Sequence, residues 1–490
     1  MDIFYLGYLK KQFVSYLHNK LGAPEDQIIL VSTIVSASLF TFVNYFIKGK
    51  TPRLIYSLVV GLILHYSLYG INSLHNIFST VTSYLFVYFF GRKLSPFYLL
   101  IATMIHLSYL NIYIMIVDYG GWTIDDVSTT YMMAVTKFSA FAFSYDDGKK
   151  DIKDIRSEYH RNYRIEKMPS FLEYAAYIFF YPTCLVGPSI QYMDFINWVE
   201  EKGCYKNLKS KRGYLFWNGL TRLLAGFFFI AFYTIIGAKF PMAAVGRAQF
   251  RIDYPEWWQR FLYMYIAGPV ARSKYYIGWL LSYSSLIFSG MAYGETVEKD
   301  KIIPNVEKGS YGSIMFNEFG MDPQKKMVHW NRQVHLWLKY NVYTRLLTPL
   351  KGKKALATFI TYVFSSIWHG FYPSYYINFF FIFLFEQDSI FLSELGFYKY
   401  VDEHKILWPF ISLKTSFFNN SVGAFFYCLE SGSAKQILIN YYGLPANVTI
   451  AFYIFVIVCR LFFMKKKKRP IEKGNKEIKE NINSRNKKIE

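Results

Sequence analysis

Three histidines lie inside long apolar stretches of the sequence: His65, His106 and His369. An ionisable side chain within a bilayer is costly and commonly marks a functional site. An imidazole there can also pack between helices and form a hydrogen bond to a neighbouring side chain or carbonyl. Residue type alone therefore does not show which histidine is catalytic. His369 differs from the other two because Gly370 follows it and Pro373 comes four residues later. Both residue types interrupt helices, so the chain beside His369 is expected to leave room for a substrate.

A second segment with chemical potential precedes His369 by about forty residues. Residues 330–347 read WNRQVHLWLKYNVYTRLL, in which Trp330, Val334 and Trp337 recur at helical spacing among basic residues. The pattern predicts an amphipathic helix at the membrane interface. An anchoring helix needs only aromatic and basic residues, whereas this one also carries Asn331. We therefore consider Asn331 together with His369.

The elements that must position these residues are membrane helices. Hydrophobic residues make up 53% of the 490-residue chain and aromatic residues 21%, with a mean hydropathy of +0.14. Apolar stretches near the roughly 20 residues that cross a bilayer occur at 28–47, 54–71, 74–90, 97–117, 214–237, 275–292, 375–392 and 447–464. Shorter or more polar ones lie near 130–144, 171–187, 258–271, 355–369 and 408–429. We predict an all-α polytopic membrane protein with about eleven spanning helices, plus re-entrant and interfacial helices.

The basic residues predict an orientation. The net charge is +21, but Lys and Arg concentrate in connections beside apolar stretches, which favours membrane topology over a nucleic-acid partner. Basic connections at 48–53, 92–93 and 149–167 alternate with 71–74 and 118–130, which contain no Lys or Arg. If the basic connections are cytosolic, the N-terminus is lumenal.

Two further segments complete the predicted topology. Because 202–212 is also basic, 171–198 should enter and leave the membrane from one side, as a re-entrant pair or two short passes. The integral domain is expected to span 1–464. Residues 465–490 are Lys-rich and almost without apolar side chains, which predicts a disordered cytosolic tail. Its last residues, Lys487–Glu490, resemble a dilysine retrieval signal and predict an endoplasmic reticulum membrane protein.

Several kinds of site are disfavoured by the sequence. The four cysteines, Cys184, Cys204, Cys428 and Cys459, lack CxxC spacing and a His-rich neighbourhood, which predicts neither a metal site nor a disulfide framework. The stretch 187–191 lacks the second Gly of a nucleophile elbow, so a serine-hydrolase mechanism is poorly supported.

Two blocks of sequence resemble the signature blocks of the membrane-bound O-acyltransferases, and most closely those of their lysophospholipid acyltransferase branch. The first block contains Trp330-Asn331, Trp337-Leu338 and Val342-Tyr343, and the second contains Ser365-x-x-Trp368-His369-Gly370 and Pro373-x-Tyr375-Tyr376. Three other stretches are similar to that branch: Asp147-Gly148-Lys149, Gly187-Pro188-Ser189-x-x-Tyr192-x-x-Phe195, and Tyr275-Tyr276-x-x-Trp279 followed by Ser289-Gly290. Arg332 and Ser374 depart from the branch, which more often has an apolar residue and Gly there.

The resemblance implies transfer of a fatty acyl group from acyl-CoA, a co-substrate, to the free hydroxyl of a lysophospholipid, with no bound cofactor. A desolvated His369 should stay neutral, the form that a general base needs. Asn331 would either donate a hydrogen bond to the thioester carbonyl or orient His369. A thioester is already activated, so direct transfer without an acyl-enzyme is expected.

The resemblance also suggests where the substrates lie. Acyl-CoA is polar and cytosolic while the lipids come from the bilayer, so the helices should be arranged around an intramembrane catalytic chamber with a cytosolic mouth and a lateral opening. Basic residues near the mouth, such as Arg345 and Lys339, would meet either CoA phosphates or lipid headgroups. The residues expected to bind the substrates, or alternatively to pack the core, are Trp330, Trp337, Arg345, Trp368, Tyr375 and Tyr376.

Two alternative functions follow from the same residues. One keeps the fold and changes the acceptor to a sterol, a glycolipid or a protein. The other is a polytopic transporter in which the three intramembrane histidines line a path. A transporter predicts inverted repeats and paired broken helices, and the sequence shows neither.

Overall fold

Apolar stretches of the sequence form helices in the computed structural model, which describes residues 3–22, 24–120, 126–155, 157–298, 301–430 and 432–462. The predicted tail at 465–490 and its dilysine sequence lie outside the described residues. The first helices are α1 (Ile3–Leu21), α2 (Glu25–Asn44), α3 (Lys50–Tyr69), α4 (Leu74–Phe90), α5 (Phe97–Val117), α6 (Ser128–Asp147), α7 (Glu158–Tyr163), α8 (Phe171–Ile178), α9 (Tyr192–Val199), α10 (Arg212–Gly237), α11 (Phe250–Asp253) and α12 (Trp257–Phe288).

The remaining helices are α13 (Ile314–Phe319), α14 (Pro323–His329), α15 (Arg332–Trp337), α16 (Thr344–Leu346), α17 (Lys354–His369), α18 (Pro373–Glu394), α19 (Phe397–Glu403), α20 (Trp408–Tyr427), α21 (Ser433–Asn440) and α22 (Leu444–Phe462). Leu338–Tyr343 is π-helical, and short 3₁₀ turns occupy Gly70–Ser73, Ile152–Asp154, Gly203–Lys211, Met242–Gly246 and Lys405–Leu407. The strands β1 (Gly294–Glu298) and β2 (Lys301–Asn305) pair antiparallel as one hairpin, with Val297 opposite Ile302. The chain is thus essentially all-α, as predicted.

The predicted spans correspond to helices with one clear exception. The stretches at 258–271 and 275–292 form the single helix α12, whose 32 residues include Pro269 in the interior. Two separate spans there were therefore a wrong prediction, because neighbouring helices in a membrane protein let a helix continue through proline. Within the described residues, the helical stretches Glu25–Asn44, Lys50–Phe90, Phe97–Val117 and Gly203–Gly237 are long and apolar enough to cross a membrane. The bent pair of α21 and α22, which meet at 85°, would add a fifth.

Two short helices occupy 171–199, and both ends of this segment lie on one side of the structure, in agreement with the charge pattern. Helices α8 and α9 have 8 residues each, about 12 Å of helix, which is too short to span. Helix α8 begins with a capping box in which Ser170 and Glu173 bond each other's backbone. The Lys50 ammonium contacts Glu173 at 2.5 Å and Glu200 at 2.6 Å. One side chain thus reaches both the start and the end of the pair, so 171–199 enters and leaves at the same side.

The basic connections gather at one end of the helices, which we call the basic end. It contains Lys50 and Arg92, which bonds the Glu166 carbonyl, and the start of α17 at Lys354. At the opposite end, the Gly120 amide donates to the Tyr372 hydroxyl at 3.0 Å. Helix α17 runs about 24 Å from Lys354 before it ends, so its last residue lies well away from the basic end. The opposite end also carries basic residues, because Arg247 pairs there with Glu430, as the poor fit of 239–251 to the charge alternation indicates.

Candidate active site within the membrane core

Local sequence ends α17 at His369. Gly370 adopts φ = +128°, a backbone conformation that residues with a Cβ rarely tolerate, and Pro373 then takes the first turn of α18, where its missing N–H is harmless. The Gly370 amide closes α17 by donating to the Ser366 carbonyl at 3.0 Å. The predicted interruption beside His369 is confirmed, and it places the imidazole at a helix terminus between two long helices.

Aromatic rings surround the His369 imidazole on several sides. Phe379 stacks on it at 5.3 Å between ring centroids, and Phe426 and Tyr375 approach at 5.1 and 6.0 Å. The imidazole makes no hydrogen bond to any group that the structure describes. The ring is half-buried, and an unpartnered imidazole in an apolar setting is unfavourable, so it is available to a molecule that is not part of the chain.

Asn331 lies in a turn between two short helices. Helix α14 starts at the N-cap Asp322, whose carboxylate accepts from the Gln324 amide at 3.0 Å. Asn331 then adopts φ = +42° and precedes α15, a left-handed conformation that asparagine tolerates better than most residues. Gly312 permits this turn, since a Cβ there would lie 2.3 Å from the His329 carbonyl oxygen. The predicted continuous helix over 330–347 therefore begins later, at Arg332, and contains the π-helical turn.

The Asn331 side chain also lacks partners. Its Oδ1 is buried without a hydrogen bond among the described groups, and the side chain does not cap α15. An amide that neither caps its own helix nor bonds a neighbour is free to bond a substrate or an adjacent ring.

Ring contacts connect the Asn331 turn to His369. Trp330 packs on Tyr275 at 5.6 Å, Tyr275 on Tyr427 at 6.2 Å, and Tyr427 on Phe426 at 5.7 Å. Phe426 in turn contacts His369 at 5.1 Å. The two blocks of sequence that resemble the acyltransferase signatures thus share one aromatic cluster.

A second path runs through two buried tryptophans. Trp337 lies 5.7 Å from Trp368, which lies 4.8 Å from His369. Their indole N–H groups donate to α6, Trp337 to the Ser139 hydroxyl at 2.9 Å and Trp368 to the Met132 carbonyl at 3.2 Å. Both side chains are almost fully buried, so they fasten both blocks to α6. Substrate contact by either tryptophan stays a prediction.

The other predicted substrate residues differ in position. Trp330, Tyr375 and Tyr376 are half-buried, and Trp330 also packs on Trp279 at 4.8 Å. Tyr375 faces the aromatic cluster, with its ring 4.7 Å from Phe426. Trp330 and Tyr375 are therefore close to the unpaired groups, and their roles in binding stay predictions.

Arg345 lies at the basic end, away from His369. Its guanidinium bonds both oxygens of Asp147, at 2.6 and 3.3 Å, and sits over the Phe143 ring at 4.3 Å. Nearby, the His160 imidazole bonds the Tyr340 carbonyl at 3.0 Å. Burial and the charge of Arg345 lower the pKa of His160, so its ring is neutral at pH 7. The structure gives Arg345 a protein partner, and a contact with CoA phosphate stays a prediction.

The remaining two intramembrane histidines have different surroundings. His106 contacts His75 at 3.0 Å, Tyr131 at 2.9 Å and Ser79 at 3.1 Å, which identifies it as a packing residue. His65 borders a cavity of about 10 Å³ beside Lys137, which has room for a single water molecule. The His65 Nδ1 has no described hydrogen-bond partner, but a cavity of that size excludes a lipid or an acyl chain.

Sequence reasoning missed Phe379 and Phe426. Both contact the His369 ring, but they are two of 47 phenylalanines in the chain. Their spacing carries no signal that would separate them from the rest of the core.

The segment that contains Asn331 and His369 matches a known protein family. The family model described as MBOAT, membrane-bound O-acyltransferase family, matches residues 112–429, more than half of the chain and a range that includes Asn331 and His369. The chain belongs to the membrane-bound O-acyltransferase family. It is an acyltransferase of the membrane, as the two blocks predicted.

Curated relatives share much of the chain. It is 28% identical over 367 residues to "Lysophospholipid acyltransferase 2" of Arabidopsis thaliana, covering 73% of this chain and 77% of the relative. It is 29% identical over 327 residues to "Lysophospholipid acyltransferase" of Saccharomyces cerevisiae, covering 61% of this chain and 51% of the relative. It is 26% identical over 391 residues to "Membrane-bound glycerophospholipid O-acyltransferase 2" of Gallus gallus, covering 74% of this chain and 71% of the relative.

Proposed function

We propose that this protein transfers a fatty acyl group from acyl-CoA to the free hydroxyl of a lysophospholipid. The names of its relatives support the acceptor. The observation that carries the proposal is the pair of unpaired groups, the His369 imidazole and the Asn331 amide, around one aromatic cluster in the membrane core. A lipid acceptor reaches such a site from the bilayer.

His369 is the general base of the proposed reaction. Its neutral ring accepts the hydroxyl proton while the hydroxyl oxygen bonds to the thioester carbonyl carbon. The carbon–sulfur bond then breaks, and the CoA thiolate takes the proton from the imidazolium. The ring returns to its neutral form, and the products are a diacyl phospholipid and CoA. No protein nucleophile is acylated.

Asn331 has one of two roles in this reaction. Its amide N–H donates to the thioester carbonyl oxygen, where negative charge develops, or its side chain orients the His369 ring. Acyl-CoA approaches from the basic end, where Arg345 and Lys339 are the proposed phosphate contacts. The acyl acceptor approaches His369 through the bilayer.

We also propose that the protein resides in the endoplasmic reticulum membrane with a cytosolic C-terminus and a lumenal N-terminus. The alternation of basic connections supports the orientation, and Lys487–Glu490 supports retrieval. Replacing Lys487 and Lys488 by serine should move a fluorescently tagged protein out of the reticular network. An unchanged distribution would show that these lysines are not the retention signal.

Purified protein tests the activity directly. It would receive acyl-CoA with a panel of lysophospholipids that differ in headgroup, and in parallel with a sterol, and products would be scored by mass spectrometry. We expect a diacyl phospholipid with at least one headgroup and no sterol ester. Sterol ester alone would move the acceptor to another lipid class, and lipid transport across vesicles without acylation would overturn the proposal.

A further inference from the structure

One more polar side chain lies beside His369. Asn111 is in the interior of α5, among apolar residues, and is only 9% exposed. Its Nδ2 is buried and finds no hydrogen-bond acceptor in the described parts of the chain. An amide inside hydrocarbon needs a partner, and among the described residues no group supplies one to this nitrogen.

The Asn111 side chain lies against the turn that follows the general base. A Cβ on Gly370 would be 3.7 Å from both Cβ and Cγ of Asn111, and 3.6 Å from the ring of Tyr375. Gly370 directly follows His369 and has no side chain, so it leaves the Asn111 amide next to the end of α17. Asn111 is therefore a neighbour of the reacting centre.

The same helix shows how a polar residue is accommodated without a ligand. Thr103, two turns earlier on α5, is as deeply buried as Asn111. Its hydroxyl donates to the Leu99 carbonyl at 2.9 Å and lies 3.0 Å from that of Leu100. Thr103 is thus satisfied within its own helix, whereas the Asn111 N–H group is not.

The position of Asn111 indicates which substrate it meets. Helix α5 starts at the basic end, and Asn111 lies about 21 Å along it, level with the end of α17. Acyl-CoA is expected from the basic end. The side of His369 that Asn111 borders is therefore the side of the acyl acceptor.

We infer that the Asn111 amide donates a hydrogen bond to an oxygen of the glycerophosphate group of the lysophospholipid and so holds its free hydroxyl at His369. The inference rests on the proposed function, because it names the acceptor of that reaction. Asn111 is an acceptor-binding residue, and it takes no proton and forms no covalent bond.

The test compares Asn111→Leu with the control Thr103→Val in purified protein. Leucine keeps approximately the volume of asparagine and removes the donor, while the control removes a buried hydroxyl from the same helix. We expect Asn111→Leu to raise the KM for lysophospholipid about tenfold, with the KM for acyl-CoA unchanged and Tm unchanged or higher. Thr103→Val should leave both KM values unchanged.

A binding measurement makes the result independent of turnover. Lysophospholipid without acyl-CoA should raise the Tm of the native protein and of Thr103→Val, and this shift should be lost in Asn111→Leu and in Asn111→Asp. The aspartate variant keeps the side-chain shape and replaces the donor by an acceptor, so it covers the case in which the leucine variant fails to fold.

Three results would overturn the inference. One is an unchanged lysophospholipid KM and Tm shift in Asn111→Leu, which would leave the proposed function intact. Another is a fall in Tm with both KM values raised together, which indicates a structural role. The last is a native protein that neither binds nor acylates lysophospholipid. If the native protein binds lysophospholipid but does not acylate it, only the proposed reaction is contradicted. The Tm shifts of the Asn111 variants would still show whether Asn111 binds lysophospholipid.

Discussion

Lys137 and His369 are both ionisable side chains among apolar helices, Lys137 buried and His369 half-buried, and they differ in their partners. The Lys137 ammonium donates to the Thr183 hydroxyl and the Ile178 carbonyl, each at 2.9 Å, and to the Tyr177 carbonyl at 3.3 Å. The His369 imidazole has no hydrogen bond within the described chain. This difference supports His369, rather than Lys137, as the proposed catalytic group.

A second paired cluster supports the same distinction. The Arg272 guanidinium bonds both oxygens of Glu318 and the Asn420 amide oxygen, and the Tyr276 hydroxyl donates to Glu318 at 2.6 Å. Tyr276 also packs against Trp330, at 6.1 Å. This fully paired cluster holds the turn that carries Asn331. The paired cluster stabilises the site region, whereas His369 and Asn331 keep polar atoms without a described partner and are the groups proposed to act.

The largest effect is expected from breaking the paired cluster. Glu318→Leu leaves the buried Arg272 cation without its partner and should lower the free energy of unfolding by about 3–5 kcal/mol, measured as a loss of folded protein and of Tm. The double variant Arg272→Met with Glu318→Leu removes both charges and should recover most of the lost stability. A double variant as unstable as the single one would show that these residues do more than pair.

Asn331→Ala should affect the rate far more than the stability. Its Oδ1 bonds no described group, so we expect only a small fall in Tm, caused by the left-handed backbone that alanine tolerates less well than asparagine, and a kcat about 100- to 1,000-fold lower. Asn331→Asp separates the two roles, since a carboxylate cannot donate to the thioester carbonyl but can still orient an imidazole. Activity retained in the aspartate variant would favour orientation of His369.

Lys137→Met should show the opposite behaviour. Methionine fills similar space and leaves the Ile178 carbonyl and the Thr183 hydroxyl without the Lys137 donor, so we expect a loss of about 2 kcal/mol in unfolding free energy. The kcat of the folded fraction should stay within twofold of the native value. A large fall in kcat at unchanged Tm would show that Lys137 takes part in catalysis, and would contradict the distinction between Lys137 and His369.

Much of the fold follows from local sequence. Apolar length predicts helices such as α5, and alternating charge predicts that 171–198 enters and leaves on one side. Gly370 and Pro373 predict the end of α17, and the two blocks predict the family. These features are encoded within a few residues of where they act, so one sequence is enough to find them.

Other features depend on contacts between distant segments. The continuation of α12 through Pro269 needs neighbouring helices. The cluster that joins Trp330 to His369 needs Tyr275 and Tyr427 from two further helices. In the sequence, Asn111 is simply a polar residue in an apolar helix. Its proximity to Gly370, and so to His369, is visible only in the structure. No spacing in the sequence encodes these approaches.

The smallest effect is expected from substitution of Trp337, which is hydrogen-bonded to Ser139 and packs on Trp368 beside His369. Trp337→Phe keeps an aromatic ring and removes the hydrogen bond to Ser139, so we expect a loss of about 1 kcal/mol in unfolding free energy. The KM for lysophospholipid should be unchanged if the tryptophan only packs. A raised KM at unchanged Tm would support its predicted contact with substrate.

The most direct test measures kcat and Tm on the same preparations of native protein, His369→Ala and the control His404→Ala, which changes an exposed histidine. Acyl-CoA and the preferred lysophospholipid would be supplied, with product scored by mass spectrometry. General-base catalysis contributes about 100- to 10,000-fold, so His369→Ala should lose that factor with its Tm unchanged, while His404→Ala should match the native protein. Undiminished turnover in His369→Ala, or a loss explained by a lower Tm, would contradict the role of the unpaired imidazole.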